Sequence, residues 1–101
     1  MIKHLVMFKL AGEAEGLSAK ENALLIKEKL EALKGVIPQI RSMKVRVNHA
    51  EASCDNCDIL LDSEFDTLED LQAYAVHPAH LEVGAYVVKV RTVRAAIDYA
   101  F

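Results

Sequence analysis

Period-two and helical hydrophobic patterns follow one another along this chain in an order that few folds accommodate: strand, helix, strand, strand, helix, strand. Residues 2–10 alternate, with Ile2, His4, Val6, Phe8 and Leu10 on one face and Lys3, Leu5, Met7 and Lys9 on the other. Gly12 to Gly16 reads as a loop. Ser18 and Glu21 have capping-box spacing, in which each side chain accepts the other's backbone N–H. The helix they open carries Ala23, Leu24, Leu25, Ile26, Leu30, Ala32 and Leu33 as a broad apolar stripe. Lys27, Glu28, Lys29, Glu31 and Lys34 cover the opposite side, and Gly35 and Pro38 end the helix.

The second half repeats this theme. A strand is predicted over about 41–50, with Met43, Val45, Val47 and His49 on one face. Small polar residues over 51–56 form a turn. A partner strand over about 57–65 places Ile59, Leu61, Ser63 and Phe65 together, so the two make a hairpin. Thr67 caps a second helix, with Asp70 three residues on. His77-Pro78 breaks it, since the residue before proline avoids helical dihedrals. Another helical stretch covers about 79–89. The last strand, about 92–101, sets Val93, Ala95, Ile97, Tyr99 and Phe101 on one face.

Two strand–helix–strand halves joined by right-handed crossovers predict an α+β, ferredoxin-like single domain over 1–101. Its four-stranded antiparallel sheet would carry helices on one face, and the apolar strand faces should pack beneath them. The other sheet face would hold Leu5, Met7, Leu60 and Ala96 among Lys3, Lys9, Lys44, Arg46, Asp62, Glu64, Arg94 and Asp98. Such a mixture suits either solvent or a second copy of the chain.

Composition narrows the function classes. At 101 residues and 52% hydrophobic content the chain can bury one modest core. A formal charge of -3 speaks against general nucleic-acid binding, which wants a basic surface. No apolar run has membrane-spanning length, and Lys3, His4 and Lys9 interrupt the run a signal peptide would need. The expected compartment is the cytoplasm. Neither nucleic acid nor membrane is an expected partner.

Chemistry concentrates in Tyr74-Ala-Val-His77-Pro78-Ala79-His80. Imidazole and phenol act as base, acid or hydrogen-bond donor near neutral pH. His4 lies on the apolar face of the first strand and Tyr99 on the corresponding face of the last. A pocket between sheet and helices could gather His4, Tyr74, His80 and Tyr99. Against this stands a plainer alternative. A histidine on an apolar strand face is more often a hydrogen-bonded core residue, and His77 before Pro78 suits a helix start.

A second group is His49, Cys54 and Cys57, three weak candidates for soft metal ligands. A structural zinc normally needs a fourth ligand, and a redox Cys-x-x-Cys usually opens a helix rather than a turn. Two cysteines without a role is the simpler reading, and no metal is expected.

The opening Met1-Ile-Lys-His4-Leu-Val-Met-Phe-Lys, the stretch from Leu30 to Pro38, the run from Ser63 to His80 and the closing Val93 to Tyr99 resemble the stress-responsive dimeric α/β-barrel family, called Dabb. Tyr-x-x-His-Pro-x-His is the most specific part. The resemblance implies a homodimer in which two sheets pair through their open faces. One plant member of the family is a polyketide cyclase. By that likeness His80 would be the base and Tyr74 the donor to a developing oxyanion. His4 would line the pocket or orient substrate. The resemblance implies no cofactor, and a small hydrophobic carbonyl or phenolic ligand. At Cys57 the family more often has an aromatic residue. The rival reading is a non-catalytic stress or structural homodimer.

Overall fold

A computed structural model describes residues 1–101. Strand β1 (Ile2–Leu10) is followed by the short strands β2 (Glu13–Ala14) and β3 (Leu17–Ser18). Helix α1 (Ala19–Ala32) runs into a 3-10 turn, Leu33–Gly35. Next come β4 (Ser42–Val47), β5 (Ile59–Phe65), helices α2 (Leu68–Ala75) and α3 (Pro78–Val90), and β6 (Arg91–Ala100). The four long strands form one antiparallel sheet in the order β4-β5-β1-β6, the ferredoxin-like arrangement. No helix is long and apolar enough to cross a membrane.

Local chemistry explains the element starts. Ser18 and Glu21 form the reciprocal capping box, at 3.1 and 3.0 Å. Thr67 Oγ1 accepts from the Asp70 N–H. His77 caps α3 by accepting the Ala79 N–H at its Nδ1, with Pro78 in the first helical position, where no N–H is needed. The stretch 12–16 is more ordered than a plain loop. Glu15 and Gly16 take φ of 52° and 78°, the two left-handed residues that a tight hairpin between β2 and β3 requires.

The core lies between the helices and one sheet face. Val6, Phe8, Val45, Ile59, Leu61 and Phe65 project from the sheet to meet Ile26, Leu30, Leu71 and Val87. Leu24 departs from the expected stripe and is exposed, while Asn22 is fully buried. Asn22 is satisfied there. Its amide donates to the Ala14 carbonyl at 3.1 Å, and its Oδ1 accepts the Tyr86 hydroxyl at 2.5 Å. At the β4 edge, Lys27 donates to the Val45 carbonyl and Glu31 accepts the Val45 N–H. Helix α1 thereby occupies edge groups that would otherwise offer a template for another strand.

Strand β6 is turned over relative to the expectation. His4 pairs with Asp98, Val6 with Ala96 and Phe8 with Arg94, whereas Lys3 pairs with Tyr99 and Leu5 with Ile97. Paired residues share a sheet face. Arg94, Ala96 and Asp98 therefore face the helices, and Val93, Ala95, Ile97, Tyr99 and Phe101 lie on the open face. The reason is that polarity identifies the inner face only when the other face meets water. Here the open face is the more apolar one along β6. Val93, Ile97, Tyr99 and Phe101, with Met7 of β1, are exposed large side chains in the isolated chain.

Candidate functional site

The helix-covered face of β1 and β6, together with α2 and α3, encloses a cavity of about 350 Å3. His4, Tyr74 and His80 all line it. Strand alternation delivers His4, α2 delivers Tyr74 from its last turn, and the His77-Pro78 break lets α3 return His80 beside Tyr74. Ring centroids are 4.3 Å apart for Tyr74–His80 and 6.3 Å for His4–Tyr74. Phe65 packs against Tyr74 at 5.0 Å from within the core.

Each polar group has a defined role in hydrogen bonding. His80 Nδ1 lies 3.0 Å from the Ala75 carbonyl. A carbonyl only accepts, so Nδ1 carries the proton and Nε2 keeps its lone pair. Burial lowers the His80 pKa below its ordinary value. The Ala75 carbonyl opposes this, while the nearby charges of His4, Arg94 and His77 add to it. His80 is thus a neutral imidazole at neutral pH with a free base nitrogen.

Tyr74 is 1% exposed, and its hydroxyl is buried without a hydrogen-bond partner. Burial pushes the phenol far above its usual range, so it stays a protonated donor. A buried polar atom without a partner costs stability, and such atoms are rare in folded proteins. His4 Nδ1 pairs with the Asp98 carboxylate across the β1–β6 ladder. This pairing orients the ring, as carboxylates commonly do for functional imidazoles.

Not every expected residue joins the cavity. Tyr99 lies on the opposite sheet face, paired with Lys3, and packs near Phe101. Its placement beside His4 is therefore corrected: the inverted β6 puts Asp98 there instead. His77 is a helix cap and does not line the cavity. Arg91, Arg94 and Asp98 line it although the alternation of apolar residues pointed the other way. Only an independent register for β6 would have found them.

His49, Cys54 and Cys57 do not assemble into a ligand set. No three His, Cys, Asp or Glu side chains are placed to hold a metal ion. His49 Nδ1 accepts the Glu51 N–H within its own turn, and both cysteines are free.

Residues 2–101 match the model of the stress-responsive A/B barrel domain family, Dabb. The chain belongs to this family. No curated protein matches the chain. Among solved structures, this Dabb chain is similar to a dimeric protein of unknown function and ferredoxin-like fold from Bacteroides fragilis. That match has 36% identity and a TM-score of 0.85, over 99% of this chain and 95% of that one. A dimeric ferredoxin-like protein of unknown function from Thermobifida fusca shares 20% identity at a TM-score of 0.79, over 99% of this chain and 90% of that one. The hydroxynitrile lyase from Passiflora edulis shares 16% identity at a TM-score of 0.79, over 99% of this chain and 92% of that one. The two more distant likenesses show the Dabb chain's fold alone. The Bacteroides relative, at 36% identity, is described as dimeric, which supports a homodimer here.

Proposed function

We propose that the cavity binds a small hydrophobic carbonyl or phenolic compound and moves a proton on it. The observation that carries this reading is the pairing of an orphaned buried donor, the Tyr74 hydroxyl, with a neutral base nitrogen, His80 Nε2. The step balances simply. A C–H bond beside a carbonyl breaks, its proton goes to His80 Nε2, and its electron pair moves onto the carbonyl oxygen. The Tyr74 O–H donates to that developing oxyanion. Return of the proton to a different atom isomerises the compound. Attack of the enolate carbon on a second carbonyl closes a ring. These protein groups supply the acid and base, and the reading calls for no cofactor. The similarly folded Passiflora protein is by name a hydroxynitrile lyase, which supports reading this fold as able to carry a small-molecule site.

The unit would be a homodimer, paired through the open sheet face that carries Met7, Val93, Ile97 and Tyr99. The Bacteroides relative described as dimeric supports a homodimer, and the exposed apolar side chains of this face support pairing through it.

A second reading is a non-catalytic homodimer. The observation on its side is the His80 hydrogen bond to Ala75, a purely local role at a helix junction. Hydrogen–deuterium exchange separates the two. Benzoylpropionate and its uncharged amide each carry acidic C–H groups beside a ketone. Loss of their proton signals in D2O is followed by NMR with wild-type protein and with His80→Gln. A rate about a hundredfold above the variant's is expected. Equal rates with both probes would leave the structural dimer standing.

A further inference from the structure

Arg91 and Arg94 both line the cavity. Residues three apart on a regular strand point to opposite faces. Here the ladder pairs Phe8 with Arg94 and Lys9 with Val93, then jumps to pair Leu10 with Arg91. The skipped residue, Thr92, makes a bulge that turns Arg91 back to the helix-covered face, and its hydroxyl donates to the Lys9 carbonyl at 3.3 Å. Bulges beside sites re-aim side chains in this way.

Neither guanidinium has an anionic partner. The ion pairs of the chain use Lys3, Lys27, Arg41 and Lys89 as cations, and His4 contacts Asp98. Asp98 is the single acidic residue lining the cavity, and it is engaged by His4. The free charge of the cavity is thus positive, on a chain whose formal charge is -3. Arg94 is exposed and Arg91 half-buried, so the charge sits toward the mouth. The interior is apolar, with Leu30, Leu61, Leu71, Val83 and Val87. At the buried end stands the unpartnered Tyr74 hydroxyl.

We propose that the compound taken up is a small apolar keto acid. Its carboxylate is held at the mouth by Arg94 with Arg91, and its ketone reaches Tyr74 and His80. The planar fork of a guanidinium matches a carboxylate, and a charge-assisted pair is about twice as strong as a neutral hydrogen bond. The cavity volume of about 350 Å3 suits a molecule of this kind. The proposal rests on the acid–base reading above for the ketone end and on the two arginines for the acid end.

Calorimetric titration with benzoylpropionate and benzoylpropionamide tests it, because the two differ only in charge and terminal group. The acid should bind at least about tenfold more tightly than the amide. Arg94→Met should abolish that preference, and Arg94→Lys should restore part of it. Equal affinity of acid and amide would overturn the proposal. So would a preference that persists when both Arg91→Met and Arg94→Met are present, or failure of both probes to bind. Deuterium exchange on the same samples reports separately on His80. Acid preference without exchange would sink the proton-transfer reading and the keto-acid assignment while retaining the carboxylate site.

Discussion

The Tyr74 and His80 rings lie 4.3 Å apart, and only His80 has a polar atom satisfied by the protein. Under the proposed function, the unpartnered Tyr74 hydroxyl is where a ligand oxygen would bind. A ligand carbonyl bound at the Tyr74 hydroxyl would complete that hydrogen bond, with its neighbouring C–H on the side of His80. Without such a partner the hydroxyl is desolvated with nothing gained in return.

Two tyrosines should therefore respond oppositely to the same substitution. Tyr74→Phe removes a buried, unpaired hydroxyl and should stabilise the fold by about 1 kcal/mol, a rise in Tm of several degrees for a chain this size. The same variant should lose about a hundredfold in exchange rate, as loss of an oxyanion donor does. Tyr86→Phe instead leaves the fully buried Asn22 Oδ1 without its donor and should destabilise by about 1–2 kcal/mol. Thermal unfolding of both variants decides this. A lowered Tm for Tyr74→Phe would mean that its hydroxyl is satisfied after all.

His80 predicts an acid limb. Its pKa in the folded protein is below the ordinary 6.5, chiefly because burial disfavours the cation. The unfolded chain then binds more protons than the folded one at mildly acidic pH, so stability falls as pH drops. The contribution is fully present above about pH 6.5 and is lost progressively from there down through the folded-state pKa. His80→Gln should flatten the Tm–pH curve in that window while leaving its alkaline side unchanged. Parallel curves for wild type and variant would refute a buried neutral imidazole. Exchange activity should hold at pH 7 and fade only where the folded-state His80 is protonated.

The sequence carried some of these features and hid others for identifiable reasons. Caps at Ser18, Thr67 and His77 are local hydrogen-bonding devices, so they could be read from residue types at short spacing. The approach of Tyr74 to His80 could be anticipated too, because a helix break at Pro78 brings close neighbours in sequence together. Arg91, Arg94 and Asp98 were hidden because the face of β6 was assigned by polarity. In that strand the larger apolar residues face away from the helices, while the cavity face carries charge. The bulge at Thr92 added a second obstacle, since no alternation rule contains it. The stretch from Gly12 to Gly16 was legible as a loop but not as a hairpin turning at Glu15-Gly16, because a two-residue strand has no period to read.

The inverted face of β6 leads to the last prediction, on assembly. Ile97 is 59% exposed in the isolated chain, pairs with Leu5 on the central strand β1, and lies among Met7, Val93 and Tyr99. Burying this surface against a second copy removes apolar area from water and would hold the proposed dimer together. Ile97→Lys puts a charge into that interface. Its side chain contributes nothing to the core beneath the helices, so the protomer should keep its fold. Light scattering should report the chain mass of 11.2 kDa for the variant and twice that for wild type, with unchanged helical circular dichroism. A variant that stays dimeric would move the interface off this face. One that unfolds as it dissociates would show that the protomer depends on its partner. The cavity faces the opposite side of the sheet, so a folded Ile97→Lys monomer should retain binding of benzoylpropionate within about a factor of three, the size of an indirect effect between distant sites.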